Sequence, residues 1–158
     1  MINENKMKVL VVYDSVYGNT EKIAKAIGDT FTGEVKVLHV SEVNSAELKN
    51  LNLLVIGSPT HAGRPTPAIK NFLNKIPEPL IRGIKVAGFD TRMSTRLARL
   101  LGYAGPRIAN KLERKGAIPA ASPEGFFVKG KEGPLKKGEL ERAAKWAKEI
   151  ENRNQHKT

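Results

Sequence analysis

Two short polar turns hold the residues whose chemistry stands out in this chain. The first, Ser15-Val16-Tyr17-Gly18-Asn19-Thr20, sits between an apolar run and a helical pattern, and it contains no lysine or arginine. A helix N-terminus presents unpaired N–H groups and a partial positive charge, so it attracts phosphate without a cationic side chain. The Ser15 and Thr20 hydroxyls add donors, Gly18 lets the backbone approach closely, and Asn19 is placed to cap the helix. Hydrogen bonds to a charged group are worth about 1.5–3 kcal/mol each, so a few suffice for one dianionic phosphate. The lysine-bearing G-x-x-x-x-G-K-[ST] loop and the G-x-G-x-x-G fingerprint are both absent. The turn therefore suits a single phosphate ester; taken alone, it equally fits a plain strand-to-helix turn. The second polar turn, Ser58–Pro65, follows another apolar run.

The elements that must position these turns alternate along the chain. The runs 7–13 and 51–58 are almost unbroken in apolar residues, as strands buried on both faces are, and 34–40 and 84–90 read as two further strands. A fifth strand falls within 117–130. Ile23, Ala24, Ile27 and Phe31 recur at helical spacing, and helices are expected over 19–31, 46–50, 66–76, 94–115 (broken near Gly102–Pro106) and 138–150. Pro77 and Pro79 should stop the third of these, and residues 151–158 read as a frayed tail to a single domain spanning 1–158. Strands alternating with helices imply right-handed crossovers and an α/β fold: a three-layer, doubly wound, five-stranded parallel sheet. With five strands the order 2-1-3-4-5 fits best, and its ligand crevice opens beyond strands 1 and 3. The two polar turns follow those two strands.

Composition narrows the chemistry further. The 158 residues include no cysteine, which removes disulfides, thiolate metal sites and a cysteine nucleophile, so redox chemistry would need a bound cofactor. No two histidines or carboxylates show ligand spacing, and no metal is expected. There is no run long enough to span a membrane, and "MINENKMK" lacks a signal-peptide core, so a cytoplasmic location without membrane attachment is expected. The net charge of +11 is uneven: residues 1–79 carry nine Lys and Arg against eight Asp and Glu, whereas 80–158 carry eighteen against eight. That asymmetry fits an acidic partner or a solvated basic face; no aromatic residues interleave with the cations as a nucleic-acid platform would want.

The segment "YDSVYGNTEKIAKAI" resembles the phosphate loop of the flavodoxin family, whose pattern is [ST]-x-[ST]-G-[NT]-T ahead of an amphipathic helix. Ser15, Gly18, Asn19 and Thr20 match, while Tyr17 replaces a small hydroxyl residue. "GSPTHAGRPTPAIKNFL" and "VAGFDTR" are similar to the second and third flavin loops, and the final strand and helix also resemble the family, so the likeness covers nearly the whole chain. The resemblance implies a short-chain flavodoxin-like domain with FMN as cofactor. Ser15, Val16, Tyr17, Gly18, Asn19 and Thr20 would hold the phosphate. Pro59, Thr60, His61, Ala62 and Gly63 would line a face and the N5 edge of the ring, with the Ala62–Gly63 peptide reorienting on reduction. Asp90, Thr91 and Arg92 would offer backbone groups to the pyrimidine edge.

Departures from the family pattern carry their own expectations. The ring-stacking aromatic pair is replaced by His61, with no aromatic after the third loop until Tyr103, and Trp146 falls at core spacing in the last helix. His39, on a strand, should be a satisfied interior or edge residue. Arg64, Arg92, Arg96 and Arg99 replace the usual acidic rim, and the last three follow helical spacing, which fits one basic stripe for partner docking and equally a merely solvated one. A cation about 6 Å from the ring, at an effective dielectric near 20, favours the reduced anion by about 3 kcal/mol before screening. The preferred reading is a non-enzymatic electron carrier with no catalytic residue, docking acidic protein partners at the basic flavin rim. The alternative is an NAD(P)H-dependent, FMN-containing quinone reductase; a flavin-free, nucleic-acid-binding scaffold ranks last. The oligomeric state stays open.

Overall fold

The computed structural model describes residues 6–155. The centre of the sheet is β1 (Lys8–Tyr13), β3 (Leu53–Pro59) and β4 (Lys85–Met93), the three most apolar runs. Side chains alternate across a strand, so β1 sends Val9 and Val11 to one face and Leu10 and Val12 to the other. On the first face they meet α1 (Asn19–Thr30) and α6 (Glu139–Gln155) through Ile23, Ile27, Trp146 and Ile150. On the second they meet α2 (Pro67–Lys75) and α5 (Ala104–Arg114) through Ile69, Leu73, Ile108 and Leu112. Two apolar layers thus close on one sheet, which is why the strands are apolar on both sides.

The strand order is β2-β1-β3-β4-β5 with every pairing parallel, and β2 (Glu34–His39), half-exposed, forms one edge. The other edge is filled in two pieces. β5 (Ile118–Pro119) pairs with Lys85 and Val86, and β6 (Glu124–Val128) pairs with Phe89–Met93 of the same β4. Pro119 and Pro123 flank the interruption; neither can donate to a ladder, which confines proline to edges and breaks. Because β6 keeps pairing as far as Met93, β4 runs three residues beyond the expected end at Asp90.

Other boundaries differ for equally local reasons. The expected helix at 46–50 is a pair of 3-10 turns, Val40–Glu42 and Ser45–Leu48, the second capped by Asn44 accepting from the Ala46 and Glu47 amides. Pro77 ends α2, but Pro79 sits in the first turn of the short α3 (Glu78–Ile81), where a missing N–H costs little. The break near Gly102 separates α4 (Arg96–Leu101) from α5, with Gly102 at φ 92°. The tail is helical through Gln155 rather than frayed from 151. Glu151, 1% exposed, accepts from the amide and hydroxyl of Thr32 at 2.6 and 2.7 Å and holds the last turns down. Residues 156–158 of that expected tail, and 1–5 of the expected leaderless start, lie outside the described residues.

Trp146 packs edge-to-face with Phe89 and Phe126, ring centroids 6.3 and 6.2 Å away, and is a core anchor. The Phe89 ring lies against Gly57 of β3, where any Cβ would collide with it. His39 ends the edge strand with both ring nitrogens engaged, by Ser41 Oγ at 2.8 Å and Asp14 Oδ1 at 3.1 Å.

Candidate functional site

The carboxyl ends of β1, β3 and β4 bring three loops, up to some seventy residues apart, into one cleft. Its walls are Ser15, Val16, Tyr17, Asn19 and Thr20 from the first loop, Pro59, Thr60 and His61 from the second, and Thr91, Arg92 and Met93 from the end of β4. The cleft has a volume of about 70 Å³, and the exposed Val16, Tyr17, His61 and Met93 stand at its rim.

The first loop is organised by Ser15. Its Oγ accepts from the Gly18 amide at 3.0 Å and from the Glu21 amide at 3.4 Å, which leaves the hydroxyl proton to be donated elsewhere. Gly18, at φ 92°, occupies the N-cap position of α1, and the side chain that reaches a first-turn amide is that of Ser15. Asn19 therefore does not act as the expected cap: buried, it donates from Nδ2 to the Glu132 carbonyl at 3.2 Å. The amides of Asn19 and Thr20 belong to the first helical turn, which has no intrahelical acceptors, and they have no acceptor among the described residues. Behind the loop, the Tyr13 hydroxyl donates to Glu21 at 3.0 Å, and burial together with that carboxylate pushes the phenol up to about 12.

Thr20 and Thr91 hydroxyls meet at 2.8 Å in the interior and tie the first loop to β4. The second loop is a tight turn. His61 and Arg64 exchange both backbone hydrogen bonds, at 2.8 and 3.0 Å, around Ala62 and Gly63 at φ 49° and 82°. Two positive φ values make this a type I′ turn. A side chain at Gly63 would run into the Leu101 carbonyl at the end of α4. Reorienting the Ala62–Gly63 peptide would convert the turn to type II′, whose first central position calls for glycine and here holds Ala62.

The third loop departs most from expectation. Asp90 is fully buried, and its carboxylate receives Arg92 Nε and Nη2 at 2.7 and 2.8 Å and the Gly105 amide at 2.8 Å. Arg92 is itself 15% exposed and stacks on Tyr103, 3.5 Å from the ring centroid. Gly125 on β6 leaves the room this guanidinium occupies. Asp90 thus faces inward, and Tyr103 is engaged by Arg92. The basic stripe of Arg92, Arg96 and Arg99 does not form either, since Arg92 lies on a strand and only the other two are on α4. The charge expected from Arg92 is matched by Asp90, and Arg64 lines a different cleft on the α2–α5 side.

Of the fourteen residues expected at the site, Gly18, Ala62, Gly63 and Asp90 are not among those lining the cleft, and the other ten are. Three lining residues were not anticipated: Met93, Val128 and Lys131. Val128 ends β6 and Lys131 follows in the next loop; Val128 bridges Leu135, and the Lys129 and Lys136 amides donate to the Pro134 and Phe127 carbonyls at 2.9 and 2.8 Å. Glu139 anchors that segment: burial alone would raise its carboxyl, but Arg142 and the Phe127 amide, the latter at 2.7 Å, hold it below the ordinary range. The "KGKEGP" run around Lys131 reads as a polar loop, and only the contact from Asn19 across 113 residues reveals its place.

The donor set fits a phosphate monoester: two amides without acceptors at a helix N-terminus, a free hydroxyl proton, and one lysine. Beyond the cleft, Leu97 and Leu100 on α4 are 65% and 82% exposed and stand among Arg96 and Arg99.

Comparison with known proteins agrees with this geometry. A flavodoxin domain model matches residues 10–120. A flavodoxin of Aquifex aeolicus (strain VF5) is 34% identical over 73 residues, covering 44% of this chain and 40% of that protein. The match thus spans about two fifths of that relative's length. A solved flavodoxin structure from the domain Archaea superposes with a TM-score of 0.78 at 22% identity, covering 95% of this chain and 100% of that one. The rubredoxin oxygen:oxidoreductase from Desulfovibrio gigas superposes at 0.72 and 23% identity over 96% of this chain, but over only 37% of its own. At those identities the likeness is one of fold. Among the described residues no helix is long and apolar enough to cross a membrane.

Proposed function

Because the chain belongs to the flavodoxin domain family, we propose that it binds FMN without a covalent bond and carries electrons between protein partners. The observation that supports this most is the convergence of the three loops on one cleft, lined by Asn19 and Thr20, whose amides have no acceptor among the described residues. Those amides and the Ser15 hydroxyl would hold the phosphate, with Lys131 supplying a positive charge the turn itself lacks. Thr60, His61 and Thr91 would border the ring, and Tyr17 and Met93 would shield its exposed side. Flavin, when bound, supplies reversible one- and two-electron chemistry; the protein's contribution is binding, orientation and electrostatics.

Arg92 contributes shape rather than net charge, since Asp90 cancels it at 2.7 Å. The bias toward reduced flavin therefore rests on Lys131, Arg96 and Arg99, and solvent screens the exposed members of that set. Acidic partners would dock over α4, where exposed leucines and arginines combine an apolar contact with charge steering. The test is to load purified protein with FMN, desalt it, and present NADPH and a quinone. Retained flavin with no direct NADPH oxidation supports the carrier; turnover without a partner reductase replaces it with the quinone-reductase reading.

A further inference from the structure

A second concavity, of about 380 Å³, lies between α2 and α5, and Arg64, Lys70, Arg107, Lys111 and Arg114 line it. Arg107, Lys111 and Arg114 follow one another at i, i+4 and i+7 and so form a single stripe along α5. Lys70 stands across from them on α2. Among the described residues, no aspartate or glutamate lines the cleft. None of the five cations forms an ion pair among the described residues, whereas Lys25, Lys36, Arg82, Arg92, Arg142 and Lys148 all do. Among the described residues, Arg107 is the one of the five whose side chain donates a hydrogen bond, to the Leu101 carbonyl at 3.3 Å. The crowding is felt next door: Lys115 donates to the Asn74 and Ile76 carbonyls at the end of α2, and burial and the nearby Lys111 charge together lower its pKa.

We propose that this cleft binds a small polyphosphate anion of the nucleoside triphosphate class. Several like charges held together without a carboxylate are complementary to a ligand with several negative charges, and guanidinium forks match phosphate oxygens two at a time. The remaining lining suits a nucleoside: Asn74 and Asn110 offer amides, and Leu73 and Pro65 give an apolar surface. The volume lies at the lower end of the range for small-molecule pockets, about 300–1,000 Å³. A nucleic-acid strand would call for stacking aromatics, and none lines the cleft. The site is separate from the flavin cleft, so the proposal stands or falls independently of the electron-carrier reading.

The test is calorimetric titration of the full chain with ATP, AMP and inorganic tripolyphosphate. One saturable site is expected for ATP and for tripolyphosphate, each binding at least about tenfold more tightly than AMP. Lys111→Glu combined with Arg114→Glu is expected to weaken ATP at least about tenfold. Lys137→Glu combined with Lys145→Glu makes the same change of net charge elsewhere on the surface and is expected to leave the affinity within about twofold. Equal weakening by both pairs, AMP binding as tightly as ATP, or no saturable binding overturns the proposal. So does competition by excess FMN, which would put the anion in the first cleft, or tighter binding of a single-stranded oligonucleotide abolished by the same substitutions.

Discussion

At the carboxyl edge of the sheet the guanidinium that lines the cleft, Arg92, is clamped by the buried Asp90 and stacked on Tyr103. Between α2 and α5, five cations line a cleft with no carboxylate among them. One site has cancelled its strongest charge and relies on backbone amides and a hydroxyl fixed in place; the other leaves its charges open and only loosely positioned. Fixed neutral donors select a phosphate by geometry, and their strength depends little on salt. Open cations select by charge, and their strength falls steeply with ionic strength. Net charge alone, +11 for the chain, distinguishes neither site from a solvated face.

The sharpest way to break this contrast is to remove the clamp. Asp90→Ala leaves Arg92 desolvated and the Gly105 amide without its acceptor, and loss of one partner from a buried ion pair costs about 3–5 kcal/mol. Urea denaturation should show a midpoint lowered accordingly; an unchanged midpoint would mean that Arg92 simply swings out to solvent. Next in size is Ser15→Ala. It removes the acceptor of the Gly18 and Glu21 amides and one donor to phosphate, so FMN affinity should fall about 10- to 100-fold. Riboflavin, which has no phosphate, reports the difference: its affinity should fall less.

Lys131→Met separates the charge from the geometry. FMN should weaken about fivefold at low salt, as for a partly exposed pair, and the effect should fade at high salt, where the Ser15→Ala effect persists. Last comes a pH dependence behind the first loop. Tyr13 has a folded pKa of about 12 against 10.0 in the unfolded chain. A raised pKa stabilises below the unfolded value and loses that stabilisation as pH rises through the folded one, so stability should decline between pH 10 and about 12. Near-ultraviolet tyrosinate absorbance, compared with Tyr13→Phe, checks the assignment.

Much of this was legible in the residues. The unbroken apolar runs at 7–13 and 51–58 put the central strands where they are, and helical spacing of Ile23, Ala24 and Ile27 put α1 against them. The polar turns after strands 1 and 3 converge because strand order places those two side by side. Elsewhere local spacing misled. Arg92, Arg96 and Arg99 are spaced as on a helix, yet pairing with β6 keeps residue 92 in a strand, where Asp90 and Arg92 share a face with period two. Asn19 is a good capping residue drawn away by Glu132, and Lys131 reaches the cleft through that same contact. Both depend on a pairing across 113 residues that no local pattern encodes.

Flavin binding by this chain requires that the first loop hold the phosphate. The most direct measurement loads the purified chain with FMN, removes the excess, and follows anaerobic stepwise reduction by visible absorption. The account predicts a retained yellow chromophore that is reduced in two resolved one-electron steps. A protein that leaves the desalting column colourless, with FMN no tighter than riboflavin in solution, would contradict it.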